Sequence, residues 1–203
     1  MVGIRRNEAF AGDYLTKPKI TIISPTRDYY ESLLPKFRNR VKFLWNLESL
    51  EENEYSEEKD TSDNDTLSKT LDAANDDGSA HNQSSIVFLL ETDGGEKFLF
   101  TGDAGRDAFN HVPQYLLGSF DGVDWMKVPH HGSKHNLDTT IIRHIKPKEA
   151  YISTEKEGKY LNRCTVFALK KNNTKVYSTC QNRSSIRHGA LRAREGWSKM
   201  DPM

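Results

Sequence analysis

Between Lys97 and Asn136 the chain reads KFLFTGDAGRDAFNHVPQYLLGSFDGVDWMKVPHHGSKHN and carries two chemically loaded turns. Thr101-Gly102-Asp103 follows one short apolar run, and His130-His131-Gly132-Ser133 follows the next. Zinc accepts aspartate oxygen and histidine nitrogen and needs them fixed on rigid elements. Asp103 with one of the two imidazoles therefore forms a candidate metal and catalytic group. A Gly-Asp turn is by itself an ordinary strand ending, and a lone His-His pair is an ordinary surface feature. The order of the two turns makes the pattern specific. Neighbouring side chains on consecutive positions diverge, so His130 and His131 do not both serve one ion. Ser133 and Lys134 could contact an anionic substrate through free backbone N–H groups and a point charge. For Lys134, ordinary solvent exposure is the competing reading.

The elements that must present these turns are legible around them. Phe98–Phe100 and Val123–Val128 read as buried strands, the second stopped by Pro129, with a helical segment over residues 106–117 between them. That makes a strand–helix–strand unit, which places both turns at the carboxyl ends of parallel strands, where open α/β sheets put their ligands. Upstream, Lys19–Ser24 alternates as a strand. Thr26 caps a helix whose apolar face is Tyr29, Leu33 and Phe37. Asp93-Gly94-Gly95 marks a hairpin between Ile86–Glu91 and Lys97–Thr101. Downstream come a helix over residues 138–145, a strand over 149–153, a helix over 163–171 and a strand over 175–178. Residues 1–18 carry no periodic pattern and read as a loop.

FLFTGDA followed by WMKVPHHGSKHN resembles the metallo-β-lactamase-fold hydrolases, closest to the subgroup of competence-protein hydrolase domains and phosphorylcholine esterases. KITIISPTRDYY, the strand NQSSIVFLL beginning at Asn82, and KPKEAYIS beginning at Lys146 extend the likeness over roughly residues 18–178. The resemblance implies hydrolysis, with a phosphodiester or related ester as substrate, at a zinc centre of two ions in the complete enzyme. Asp103 would bridge the ions and His131 would hold one, while His130 would face substrate or support the ligands. Asn82 and Ser84 would lie beside the site and bind substrate. Their alternative is a turn that caps the following strand.

The same resemblance requires a His-x-His-x-Asp-His loop in a first βα half, and the seven histidines, 81, 111, 130, 131, 135, 144 and 188, form no such pattern. The Tyr-Gly-His-Pro type of segment expected later is replaced by Lys159-Tyr-Leu-Asn-Arg-Cys. The expectation is therefore α/β, the carboxyl-terminal half of an αββα sandwich: one mixed sheet with helices on one face and an apolar opposite face for the missing half to cover. Its partner would be that half or a second polypeptide. A non-catalytic remnant or interaction module is the competing reading.

Composition bounds the rest. Formal net charge is zero, with 29 basic and 29 acidic residues, so no global attraction to nucleic acid or anionic membrane follows. No apolar run approaches the length of a membrane span and no signal-peptide core follows Met1, which points to a cytoplasmic chain, consistent with only two cysteines. Residues 51–77 set eleven acids against two lysines, and residues 47–81 read as a disordered acidic insertion. His81 at its edge reads as solvated. The chain is then one partial domain, residues 1–203, ending in a basic tail, 180–203, that either neutralises nucleic-acid phosphates or is simply solvated.

Overall fold

A computed structural model describes residues 8–38, 64–154, 161–180, 184–185, 195–196 and 198–203. Among the described residues, seven strands form one mixed sheet in sequence order. They are β1 (Tyr14–Thr16), β2 (Lys19–Ser24), β3 (Val87–Glu91), β4 (Lys97–Phe100), β5 (Trp125–Lys127), β6 (Glu149–Ile152) and β7 (Lys175–Ser178). β1 to β4 are antiparallel, and β4 to β7 run parallel. The expected α/β mixed sheet, consistent with half of a two-sheet sandwich, is what the chain forms. A separate pair, β8 (Ser184–Ser185) and β9 (Ser198–Lys199), lies outside it.

Strand alternation sorts the sheet into two unlike faces. Val87, Leu89, Leu99, Met126, Ala150, Ile152 and Val176 are buried in the main core, under helices that contribute Tyr29, Leu33, Ile142, Ile145, Ala168 and Leu169. The described helices are α1 (Arg27–Arg38), α2 (Asn64–Ala73), α3 (Ala80–Gln83), α4 (Arg106–Asn110), α5 (Thr139–Ile145) and α6 (Arg163–Lys171), and α1, α5 and α6 supply those residues. Caps follow the sequence signals: the Thr26 hydroxyl accepts from Tyr29 N, Asp138 from Ile141 N and Asn162 from Cys164 N.

On the other face, register places Phe98 beside Trp125 and Tyr151 beside Tyr177. An aromatic row crosses five strands there, with centroid separations of 4.8 Å for Phe88–Phe100, 5.1 Å for Phe100–Trp125, 5.1 Å for Trp125–Tyr151 and 4.9 Å for Tyr151–Tyr177. Phe88, Phe98, Phe100 and Trp125 are half-buried, so part of this face is open as expected. The rest is covered by the chain itself: Met200 packs with Tyr151 and Tyr177, and Met203 N donates to the Val176 carbonyl at 2.8 Å.

Three expectations need correction. Residues 64–81 are not disordered: they form α2, a connecting segment and the start of α3, because Leu71 is fully buried and the acids bond to distant elements. The helix expected over 106–117 ends at Asn110, since Pro113 cannot continue it, and a 3₁₀ turn over Gln114–Phe120 leaves Tyr115 exposed. Residues 14–16, expected in a loop, pair with β2 as a short edge strand. The rest of the acidic insertion, residues 47–63, the run at Lys159 and Tyr160, and most of the basic tail lie outside the described residues. No helix among the described residues is long and apolar enough to cross a membrane.

Candidate functional site

The carboxyl ends of β4, β5 and β6 and the approach to β3 meet at one edge of the sheet. Thr101 at the end of β4 donates its hydroxyl to the Lys127 carbonyl at 2.7 Å, locking the first turn to the end of β5. Gly102 has φ +55°, and a Cβ there would come within 2.9 Å of Ser85 Cβ, so glycine lets the turn lie on the loop before β3. Asp103 N donates to the Ser85 hydroxyl at 3.1 Å. The Asp103 carboxylate projects outward and pairs with the Lys127 ammonium at 3.3 Å.

The second turn is conformationally strained. His130 and His131 have φ of +42° and +55°, and Gly132 follows at +88° against Ile152. His130 N donates to the Gly102 carbonyl at 3.4 Å, so the two loaded turns touch through their backbones. The imidazoles diverge, with centroids 6.1 Å apart and planes at 63°. His131 Nδ1 hydrogen-bonds the Ser153 carbonyl at the end of β6. His130 turns the other way and sets Nδ1 3.1 Å from Asp77 Oδ2.

Asp77 is a residue that sequence reasoning placed in the insertion and missed. Its Oδ2 also accepts from Asn82 Nδ2 at 2.9 Å and Asn136 Nδ2 at 3.1 Å, while Oδ1 accepts from Ser79 N at 2.9 Å. Burial alone would raise this carboxyl. The hydrogen bonds from His130, Asn82, Ser79 and Asn136 together hold it below the usual carboxylate range. For His130 burial works against the charged form, but the hydrogen bond and charge of Asp77, the charge of Asp103 and the bond to Asn136 raise it above the usual imidazole value. Asn136, fully buried, joins the turns by donating also to the carbonyls of Asp103 and Ala104 at 3.1 and 3.3 Å.

Asp77 sits in a segment clamped onto this edge. Arg106 is buried and donates to the carbonyls of Leu71, Ala74 and Lys134 at 2.6, 2.7 and 2.8 Å. Asp76, thirty residues away in sequence, caps α4 by accepting from Arg106 N at 2.7 Å and Asp107 N at 3.0 Å. Gln83 donates to Asp76 Oδ2 and the Asp77 carbonyl and accepts from Ala108 N and the Tyr29 hydroxyl. The one signal that could have found Asp77 is Asp-Gly-Ser, an Asx-turn pattern.

Of the other residues singled out from sequence, Asn82 stands within this network, its Nδ2 also 3.5 Å from His130 Nδ1. The Ser84 hydroxyl turns back to the His81 carbonyl at 2.8 Å as a cap of its own turn. Ser133 is buried and its hydroxyl accepts from His135 N at 3.2 Å, and Lys134 offers its carbonyl to Arg106. His81 is exposed beside Phe37.

Asp103 and His131 are donors of the kind zinc takes. Among the described residues, however, no three His, Cys, Asp or Glu side chains gather as a ligand set, and a catalytic zinc needs three. Asp103 already faces an ammonium. The described residues do not make a metal centre by themselves.

No family model matches the chain. Part of it is similar to ComE operon protein 3 of Bacillus subtilis (strain 168), with 32% identity over 110 residues, covering 52% of this chain and 14% of that protein. The match thus spans about one-seventh of the relative's length. No solved structure matches.

Proposed function

We propose that this chain is the carboxyl-terminal half of a metallo-β-lactamase-fold hydrolase acting on a phosphodiester or related ester. Asp103, His130 and His131 would belong to its active site, with Asp103 and His131 among the ligands of a zinc centre whose other ligands come from outside the described residues. The observation that carries this reading is the contact of the two loaded turns at one sheet edge, His130 N to the Gly102 carbonyl at 3.4 Å. The partial likeness to a ComE operon protein agrees with the competence-protein side of the sequence resemblance. On this reading the chain's own contribution is to orient: Ser153 fixes the His131 ring, Asp77 the His130 ring, and Lys127 the Asp103 carboxylate. Asn82, Ser84 and Lys134 would serve as substrate contacts, whereas Ser133, buried with its N–H donating to the His130 carbonyl at 3.0 Å, would shape the turn.

A second reading is favoured by the Lys127–Asp103 pair, in which an ammonium stands where a bound cation would be attracted. In that case the scaffold is retained as a non-catalytic interaction module. The two readings separate in the coding DNA upstream of Met1, where a His-x-His-x-Asp-His frame is expected for the hydrolase and absent for the module. Equilibrium dialysis of the purified chain against zinc is the biochemical test. Weak, substoichiometric binding that is lost in D103A and H131A supports a half-site, whereas tight stoichiometric binding by this chain alone overturns the claim that its ligand set is incomplete.

A further inference from the structure

Asp77 and His130 lie 53 residues apart in sequence, in a segment whose composition reads as solvated and in a turn whose residues carry chemistry. Their side chains are 8% and 17% exposed, so water competes little for the bond between them. At 3.1 Å, a carboxylate oxygen and an imidazole nitrogen require a proton between them, because two lone pairs at that distance repel. Asn82 Nδ2 offers a rival arrangement, donating to the same His130 nitrogen, but at 3.5 Å it is the longer contact and its 2.9 Å bond goes to Asp77. The three donors converging on Asp77 Oδ2 keep that oxygen an acceptor.

We infer that Asp77 is a positioning residue for His130: its carboxylate accepts the hydrogen bond from Nδ1–H, fixes the Nδ1–H tautomer, and leaves the lone pair on Nε2. An orienting carboxylate behind an imidazole is a general device for fixing which ring nitrogen carries the lone pair. Here it is supplied by the acidic segment, which Arg106 and Asp76 tie to α4 and to the second turn. The acidic segment is thereby a wall of the site. The inference rests on reading this sheet edge as the working site, but the tautomer itself is independent of metal and of turnover.

The test is a long-range ¹H–¹⁵N correlation spectrum of the metal-free, ¹⁵N-labelled chain, at a pH where the imidazole is neutral. His130 signals are assigned by their loss in H130Q. The expected result is protonated Nδ1 and lone-pair Nε2 in the wild type, unchanged in N82A, with the preference lost in D77A. A wild-type ring protonated on Nε2 overturns the inference, as does a folded D77A that keeps the wild-type tautomer, since a merely structural Asp77 would change stability alone. Should D77A lose the dispersed spectrum of the folded chain, the wild type and N82A still decide. Failure of the hydrolase reading would leave this spectrum unmoved, so the two outcomes are distinguishable.

Discussion

Removing one charged partner from a half-buried network leaves the others without the bond that offset their burial. Asp77 is lowered in the folded chain, so the stability it contributes is present above the unfolded carboxylate range and is lost as pH falls through its folded value. His130 is raised, so its contribution is complete below the unfolded imidazole value and is lost as pH climbs through the folded one. Thermal melts should therefore decline on both sides of a window between roughly pH 4 and 6.5. D77N should flatten the acid side, and a D77N curve as steep as the wild type would place the acid sensitivity elsewhere. Lys127 makes a different prediction. Its pair with Asp103 is partly solvated, with side chains 24% and 42% exposed, so K127A should change stability by less than about 1 kcal/mol. The same change removes the cation facing Asp103 and should raise affinity for Zn²⁺ or Mn²⁺ in calorimetric titration. Unchanged affinity would show that the ammonium does not compete at that position.

At the level of elements, the segment from α2 to α3 is tied down by side-chain bonds to α4, α5 and the second turn. R106A removes donors to three carbonyls and leaves a void, and should cost on the order of 3 kcal/mol. Hydrogen exchange should rise first in residues 71–77, and uniform protection there would contradict the clamp. G105A tests the same junction sterically: an added Cβ would lie 2.2 Å from Gln83 Nε2, whose side chain is buried and bonded on both sides. A loss of about 1–3 kcal/mol in denaturant melts is expected from such overpacking. These contacts also explain what the sequence could and could not reveal. β2, α6 and β7 follow from period and capping alone, since Asn162 bonds locally and apolar residues recur at the right spacing. Asp103 and the histidine turn are legible because strands end beside them. The α2 segment is not, because only Leu67 and Leu71 mark its inner face and its acids serve partners far along the chain. Asp72 bonds Thr139, Asp76 caps α4 and Asp77 meets His130. No local pattern encodes a bond across sixty residues. Pro113, by contrast, was a visible signal that the 106–117 helix would break.

Taken whole, the described residues form a sheet with one helix-covered face and one aromatic face, over which Met200 packs on Tyr151 of β6 and Tyr177 of β7. Removing residues 200–203 should uncover Tyr151 and Tyr177, raise the fluorescence of an added apolar dye, and cost about 1.5–3 kcal/mol for the lost burial of Met200. Unaltered dye binding would mean that these residues do not shield the sheet. Trp125 stands in the middle of that row, stacked on Tyr151 and tilted against Phe98 and Phe100. The aromatic side of the sheet therefore carries its own optical reporter. With Trp45 and Trp197 replaced by phenylalanine, tyrosine excitation would pass along the stack to a single indole, and its emission colour would register in real time whatever settles there.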